Sequence, residues 1–231
     1  MLTPSEWQAL RLTLTVAMAA VAASLPLAVA IAWWLAKYEF RGKFLVETVC
    51  NLPLVLPPVV TGYLLLVVFG RRGWLGAWLE QTLGMRFVFD WKGAALASAV
   101  VGFPLLVRPI RQAFVAVDDR LLGVARTLGA RPFDVFCTIA LPLARPGILS
   151  GSVLAFARSM GEFGATVMIA GNIPGQTRTI PLHIYTQLDA PGGIAETYRL
   201  VVTSVVVSAA ALIISEWCER RGLRTQVGSR R

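Results

Sequence analysis

The chain has 231 residues, 56% hydrophobic and 15% charged, with a mean hydropathy of +0.65 and a formal net charge of +9. Soluble domains run nearer about 45–50% apolar and about 25% charged, so a water-soluble globule is excluded once the apolar residues prove contiguous. Uncharged runs cover 12–36, 48–70, 93–107, 146–157, 163–177 and 200–215. A nucleic-acid reading of the positive charge is also excluded, because the Lys and Arg residues sit between these runs, in the pattern of membrane topology.

A helix rises about 1.5 Å per residue, so roughly 20 apolar residues cross a hydrocarbon core of about 30 Å. Joining the fourth and fifth runs through Arg158 and Glu162 leaves five spanning helices, expected over 11–36, 47–70, 91–112, 143–170 and 198–218. With the N-terminus outside and the C-terminus inside, Lys37, Arg41, Lys43, Arg108, Arg111, Arg126, Arg131, Arg220 and Arg221 all fall inside. That agrees with the positive-inside rule. The fold class is all-α integral membrane, multi-pass, in a single domain over 1–231.

Helix 1 ends at the interfacial pair Trp33-Trp34. Its apolar run exceeds a signal-peptide core, so it reads as a retained helix. Helix 2 opens on Leu52-Pro53-Leu54-Val55-Leu56-Pro57-Pro58. Each proline removes a donor and clashes with the preceding turn. Broken backbone in lipid is tolerated only when buried in protein or lining a watery cavity. Pro57 and Pro58 are therefore pathway candidates, with a kink that only serves packing as the other reading. Residues 71–92, with Trp74, Trp78 and Trp91, read as an external interfacial loop. Helix 3 leads into a polar insert at about 118–142, helix 4 follows, and 171–197 form a Gly/Pro-rich external segment before helix 5. Cys50, Cys137 and Cys218 fit no metal or redox spacing. The single histidine, His183, reads as a surface residue of the outer segment.

The insert predicts two short helices joined by a sharp turn. Asp118 or Asp119 suits an N-cap. Leu121, Ala125 and Leu128 share one face, and Leu122, Ala125 and Gly129 the neighbouring one. Gly129 suits a left-handed helix end, and Pro132 the first position of a second helix carrying Phe133, Phe136 and Cys137. Such a hinged pair offers an apolar knob with a basic rim, fit for a groove on a partner; a plain connector between spans is the other reading.

Helix 4 carries Arg158 and Glu162 at i, i+4, on one face where they can pair. Intramembrane charges default to a functional hypothesis. Counted from residue 145, Arg158 lies about 20 Å along the helix. Arg158 would balance an oxyanion's charge while Glu162 prevents a trap; Ser159 and Thr166 add neutral donors. An ion pair that merely holds helices together is the alternative. Gly147 with Gly151, and Gly161 with Ala165, give small faces for close helix approach.

The skeleton Ala125, Gly129, Ile139-x-Leu141-Pro142 resembles the coupling-loop signature of ATP-binding-cassette (ABC) importer permeases. Gly123 and Val124 stand where that signature has Glu and its first Ala. The stretches Ala155–Ala165, Gly171–Pro181, Leu52–Val60 and Phe69–Gly73 resemble the sulfate and molybdate importer permeases, the molybdate branch most. The similarity runs from about residue 5 to 219. The resemblance implies a type I ABC importer permease in a bacterial inner membrane. Its expected partners are a second copy, two ABC ATPase subunits, a periplasmic molybdate-binding protein and membrane lipid, with no nucleic acid. Ala125, Leu128, Gly129, Pro132, Phe133, Ile139, Leu141 and Pro142 would contact the ATPase. No cofactor or metal is expected in this chain, ATP and Mg residing on the ATPase; no phosphate loop is present, since Gly42-Lys43 is followed by Phe44. Sulfate, thiosulfate or tungstate are alternative substrates. A stand-alone secondary transporter, which would show repeat symmetry, and a membrane enzyme, which would show a clustered catalytic constellation, are less well supported.

Overall fold

The computed structural model describes residues 3–188, 197–210 and 212–213. The described residues form helices and turns, with no strand among them. Helix α1 spans Pro4–Lys37, opened by a reciprocal capping box: Thr3 Oγ1 accepts from the Glu6 amide at 3.3 Å, and Glu6 Oε2 accepts from the Thr3 amide at 2.6 Å. It starts earlier than the apolar run because these polar residues satisfy the orphan amides of its first turn.

The expected second span is two helices, α2 (Lys43–Val55) and α3 (Pro58–Phe69), bent by 114°. Leu56 is extended (φ −67°, ψ 140°) because a residue before proline is pushed out of the α region, and Pro57 then stands as the N-cap of α3. The loop at 71–92, expected to be external, contains a short helix, α4 (Trp74–Leu83). The long α5 (Trp91–Val115) is capped by Asp90, whose side chain accepts from the Lys92 amide at 2.9 Å.

Next come α6 (Asp119–Thr127), α7 (Pro132–Val135), a π-helical turn (Phe136–Ala140), α8 (Leu141–Leu143) and α9 (Arg145–Met160). Pro142 has no amide to donate to Thr138 and its ring would press on that carbonyl. The chain widens ahead of it, and the Leu141 amide reaches back to the Phe136 carbonyl. Helix 4 is not continuous over 143–170: α9 ends at Met160 and α10 (Gly164–Ala170) begins after a break at 161–163. The segment after α10, expected to be external, contains α11 (Ile180–Leu188), and α12 follows at Thr197–Ala210. The rest of the expected fifth span, beyond residue 213, lies outside the described residues, as do 189–196.

Two helices, α1 and α5, are each long and apolar enough to cross a membrane, and two bent pairs, α2–α3 and Pro132–Leu143 with α9, pass together. That supports an integral membrane protein; of the five expected spans, helices 2 and 4 are broken, and only 198–210 and 212–213 of the fifth are among the described residues.

The centre is α1 against α5, with α9 beside them and α10 and α3 at one end. Lipid is as apolar as Leu, so burial drives little association there and close packing must supply it. The buried face of α1 accordingly consists largely of small residues, Ala9, Thr13, Ala17, Ala20, Ala28 and Ala32. On α9, Gly147 abuts Ala113 and Pro109, and Gly151 the Leu106 carbonyl, as expected of that small face. The α2 face is instead held to α5 by polar contacts, Arg111 with Glu47 at 2.7 Å and Arg108 Nε donating to Asn51 Oδ1 at 2.8 Å.

Candidate functional site

Two features separate from the helical core: the protruding segment 118–142 and the facing breaks in helices 2 and 4. Asp118 caps α6, its side chain accepting from the Arg120 amide at 2.9 Å. Gly129 closes α6 with φ +92°. Its amide donates to the Arg126 carbonyl, and the Ala130 amide to the Ala125 carbonyl, both at 3.0 Å. That paired return is a Schellman turn, whose left-handed position favours glycine. Pro132 then opens α7, where Asp134 Oδ2 accepts from the Arg131 amide at 3.3 Å.

The segment has a seated and a free side. Leu122 and Val135 are buried, and Ala125, Ile139 and Leu141 pack half-buried against the same cluster. Leu128 (83% exposed) and Phe133 (74%) face outward with Leu121 and Val124. The free stripe on α6 is thus Leu121, Val124 and Leu128 at i, i+3, i+7; Ala125 faces the core side. Val124, which stands where the coupling signature has its first Ala, is thus part of the free surface. Pro142 sits in α8 at the base of the segment.

At the helix 4 break, Glu162 is 2% exposed. Its Oε1 accepts from the Ala165 amide at 2.9 Å, so the carboxylate caps α10. Its Oε2 lies 2.9 Å from Arg158 Nη1, an ionic contact outside hydrogen-bond angles, which leaves that oxygen without a hydrogen-bond partner. The expected pair exists, although Glu162 lies past the end of α9. Arg158 is about a third exposed and Glu162 almost fully buried, so the guanidinium reaches the surface and the carboxylate stays behind it. Ser159 and Thr166 are both buried.

The two breaks meet. A Cβ placed on Gly164 would stand 3.0 Å from Pro58 Cβ and 3.3 Å from the Val59 amide nitrogen. Along the same crossing, a Cβ on Gly62 would stand 2.7 Å from Ala165 Cα. The Pro57–Pro58 corner therefore rests on the start of α10, directly after Glu162. Phe163 packs against Tyr185 of α11 with tilted rings, centroids 5.3 Å apart. Two buried hydroxyls, Thr61 Oγ1 on α3 and Ser98 Oγ on α5, have no hydrogen-bond partner. The arrangement offers one partly accessible cation with a buried counter-charge and neutral hydroxyls nearby. Such a set can meet an anion without holding it permanently.

His183 is not a surface residue. It is 5% exposed on α11, and its Nε2 has no hydrogen-bond partner. Burial pushes its pKa below the ordinary 6.5, Arg178 adds to that, and Glu6 opposes it. No group of three or more His, Cys, Asp or Glu side chains gathers among the described residues into a metal-binding cluster. Cys50 and Cys137 are free.

This fold is that of the transmembrane subunits of ABC importers. It matches a chain in the crystal structure of a bacterial alginate ABC transporter in complex with an alginate pentasaccharide-bound periplasmic protein, at a TM-score of 0.68 and 17% identity, over 96% of this chain and 80% of that one. It also matches a chain of an amino acid ABC transporter crystallised with histidines, at 0.62 and 18%, over 94% of each chain. The chain belongs to the family of binding-protein-dependent transport system inner membrane components, whose model matches residues 24–223. Among its relatives, the molybdenum transport system permease protein of Escherichia coli K12 is 53% identical over 95% of this chain and 96% of its own. That of Haemophilus influenzae is 51% identical over 94% of each, and that of Azotobacter vinelandii 43% over 82% and 84%.

Proposed function

We propose that the chain is the permease subunit of an ATP-driven importer that carries molybdate across the bacterial inner membrane. The observation that carries the reading is the hinged 118–142 segment, with its apolar knob of Leu121, Val124, Leu128 and Phe133 presented to solvent on a Schellman turn. An exposed apolar patch held on a fixed scaffold serves an interface, and segments of this residue pattern dock ATPases. The substrate assignment rests on the identity to the molybdenum permeases over nearly the whole chain.

In this reading two copies pair, each seated on an ATP-binding subunit, and a periplasmic binding protein delivers the oxyanion. Five spanning passages, N-out and C-in, place Lys37, Arg126 and Arg131 on the cytoplasmic side with the coupling segment. Closure of the ATPases on ATP moves the segment, and the helices rock between inward- and outward-open states. Arg158, Ser159, Glu162 and Thr166, beside the Pro57–Pro58 corner, line the passage. Arg158 meets the oxyanion, and Glu162 already neutralises that cation when the anion leaves. Hydrolysis of ATP takes place on the partner chain, and this subunit contributes no catalytic group.

Docking is tested by co-purification with the cognate ATPase in mild detergent. The native chain retains the ATPase, and Gly129→Val, which no longer fits φ +92°, releases it. Retention of the ATPase by Gly129→Val at the native level would contradict the docking role.

A further inference from the structure

The contact between α1 and the coupling segment lies outside the passage and outside the docking knob, and it combines polar bonds with aromatic packing. Lys37, the last residue of α1, has a side chain only 10% exposed. Its Nζ donates to the Val117 carbonyl at 2.8 Å and to Asp119 Oδ1 at 2.6 Å. Those two acceptors flank the entry to α6. One turn earlier on α1, Trp33 packs edge-on to Phe114 and Phe136, with centroids 5.1 and 5.3 Å apart. Phe136 stands at the exit from α7. The last two turns of α1 therefore hold both the entry of the segment and the end of its second helix, α7.

At its other end α1 grips α11. Thr13 Oγ1 accepts from the Ile180 amide at 2.8 Å, in a fully buried bond. Helix α11 in turn carries Tyr185, whose ring packs at a tilt against Phe163 in the helix 4 break. One 34-residue helix thus touches the coupling segment at one end and, through α11, the break beside Arg158 and Glu162 at the other.

We propose that Lys37 is a positioning residue that locks the coupling segment to α1, so that displacement of the segment by the ATPase is delivered to the helix 4 break through α1. The inference rests on the docking reading above. Nζ, on a side chain 10% exposed, donates two bonds, both charge-assisted because the ammonium is ionised, which is the stronger kind of hydrogen bond. A single long element with a grip at each end is a physical carrier for coupling between distant sites. The exposed carboxylate of Asp119 is the weaker grip, because solvent screens it. The Val117 carbonyl, on a residue 6% exposed, is the firmer one.

The test uses the whole importer, permease with its cognate ATPase and binding protein, reconstituted in liposomes. Lys37→Met keeps the aliphatic stem and removes the donor, and Lys37→Arg restores a donor of similar reach. Three quantities are read from each: ATPase retained on the permease, ATP hydrolysed, and labelled molybdate taken up per ATP. Lys37→Met is expected to retain the ATPase and its hydrolysis while uptake per ATP falls about 5- to 150-fold, the span of ordinary allosteric coupling. Lys37→Arg is expected to recover most of the loss. If Lys37→Met lowers folded protein, hydrolysis and uptake in equal proportion, Lys37 is only structural and the proposal is overturned. If Lys37→Met instead releases the ATPase, Lys37 belongs to docking and the proposal is again overturned. Failure of the native permease to retain the ATPase would overturn the docking reading and this inference with it, which the native control shows separately.

Discussion

Replacing Glu162 separates the two bonds that its carboxylate makes. Glu162→Gln keeps the volume and an oxygen for the Ala165 amide but loses the charge facing Arg158. Breaking a fully buried ion pair costs about 3–5 kcal/mol. Because Arg158 is about a third exposed, water takes up part of its charge, and about 2 kcal/mol is the expected loss. At roughly 2–4 °C per kcal/mol for a chain of this size, the midpoint should fall by about 4–8 °C. Glu162→Ala also strands the buried Ala165 amide at the start of α10, which costs about 1–3 kcal/mol more. The order native, then Gln, then Ala is therefore expected in thermal unfolding of the purified complex in lipid nanodiscs. Transport adds a second reading. With the counter-charge gone, an oxyanion held by Arg158 by an extra 1.4 kcal/mol or so leaves about tenfold more slowly, and maximal uptake falls accordingly. Equal midpoints for Gln and Ala would refute the capping role. Native uptake by a folded Glu162→Gln would refute the role of the pair in the passage.

Gly62→Val should disrupt the crossing of α3 and α10. Its Cβ would stand 2.7 Å from Ala165 Cα and 2.8 Å from Met168 Cβ, well inside the about 3.5–4.0 Å of relaxed carbon contacts. The overpacking should cost about 1–3 kcal/mol, read as a lowered midpoint with loss of uptake; an unchanged midpoint would show that the two helices are free to part. His183 gives a pH dependence whose sign is fixed. Its folded pKa lies below the ordinary 6.5, so the unfolded chain binds the proton first and stability is full above 6.5 and falls as pH drops below it. Arg178 opposes protonation, and Glu6 of α1, itself 3.9 Å from Arg199, favours it. His183→Gln should flatten the unfolding midpoint between pH 7 and 5; a slope that survives the substitution would assign it to other groups.

The turn of the coupling segment was legible because its signals are local. Gly129 stops one helix and Pro132 starts the next whatever surrounds them. The same holds for the corner at Leu56–Pro58, where proline excludes the helix from its neighbour. The break after Met160 was not legible, since no proline stands there. Glu162 reads as a helical i+4 partner of Arg158, and only the fold shows that its other oxygen is spent on the Ala165 amide. Which face of α6 is free was equally hidden. Leu121–Ala125–Leu128 and Leu121–Val124–Leu128 both fit helical spacing, and the choice belongs to the core cluster that takes Leu122 and Ala125. His183 looked exposed because its segment is rich in Gly and Pro; its burial comes from α1, at the far end of the chain, folding over α11. Helices α4 and α11 are short and are held by packing, so their periodicity is too brief to read.

The most direct test of the account is uptake of labelled molybdate at trace concentration. The host lacks its own molybdate importer and carries this permease with its cognate ATPase and binding protein, with and without excess sulfate. The account predicts uptake that persists in excess sulfate and disappears when the ATPase is omitted. Uptake abolished by sulfate, or sulfate transport without molybdate uptake, would contradict the substrate assignment, and uptake that continues without the ATPase would contradict the mechanism itself.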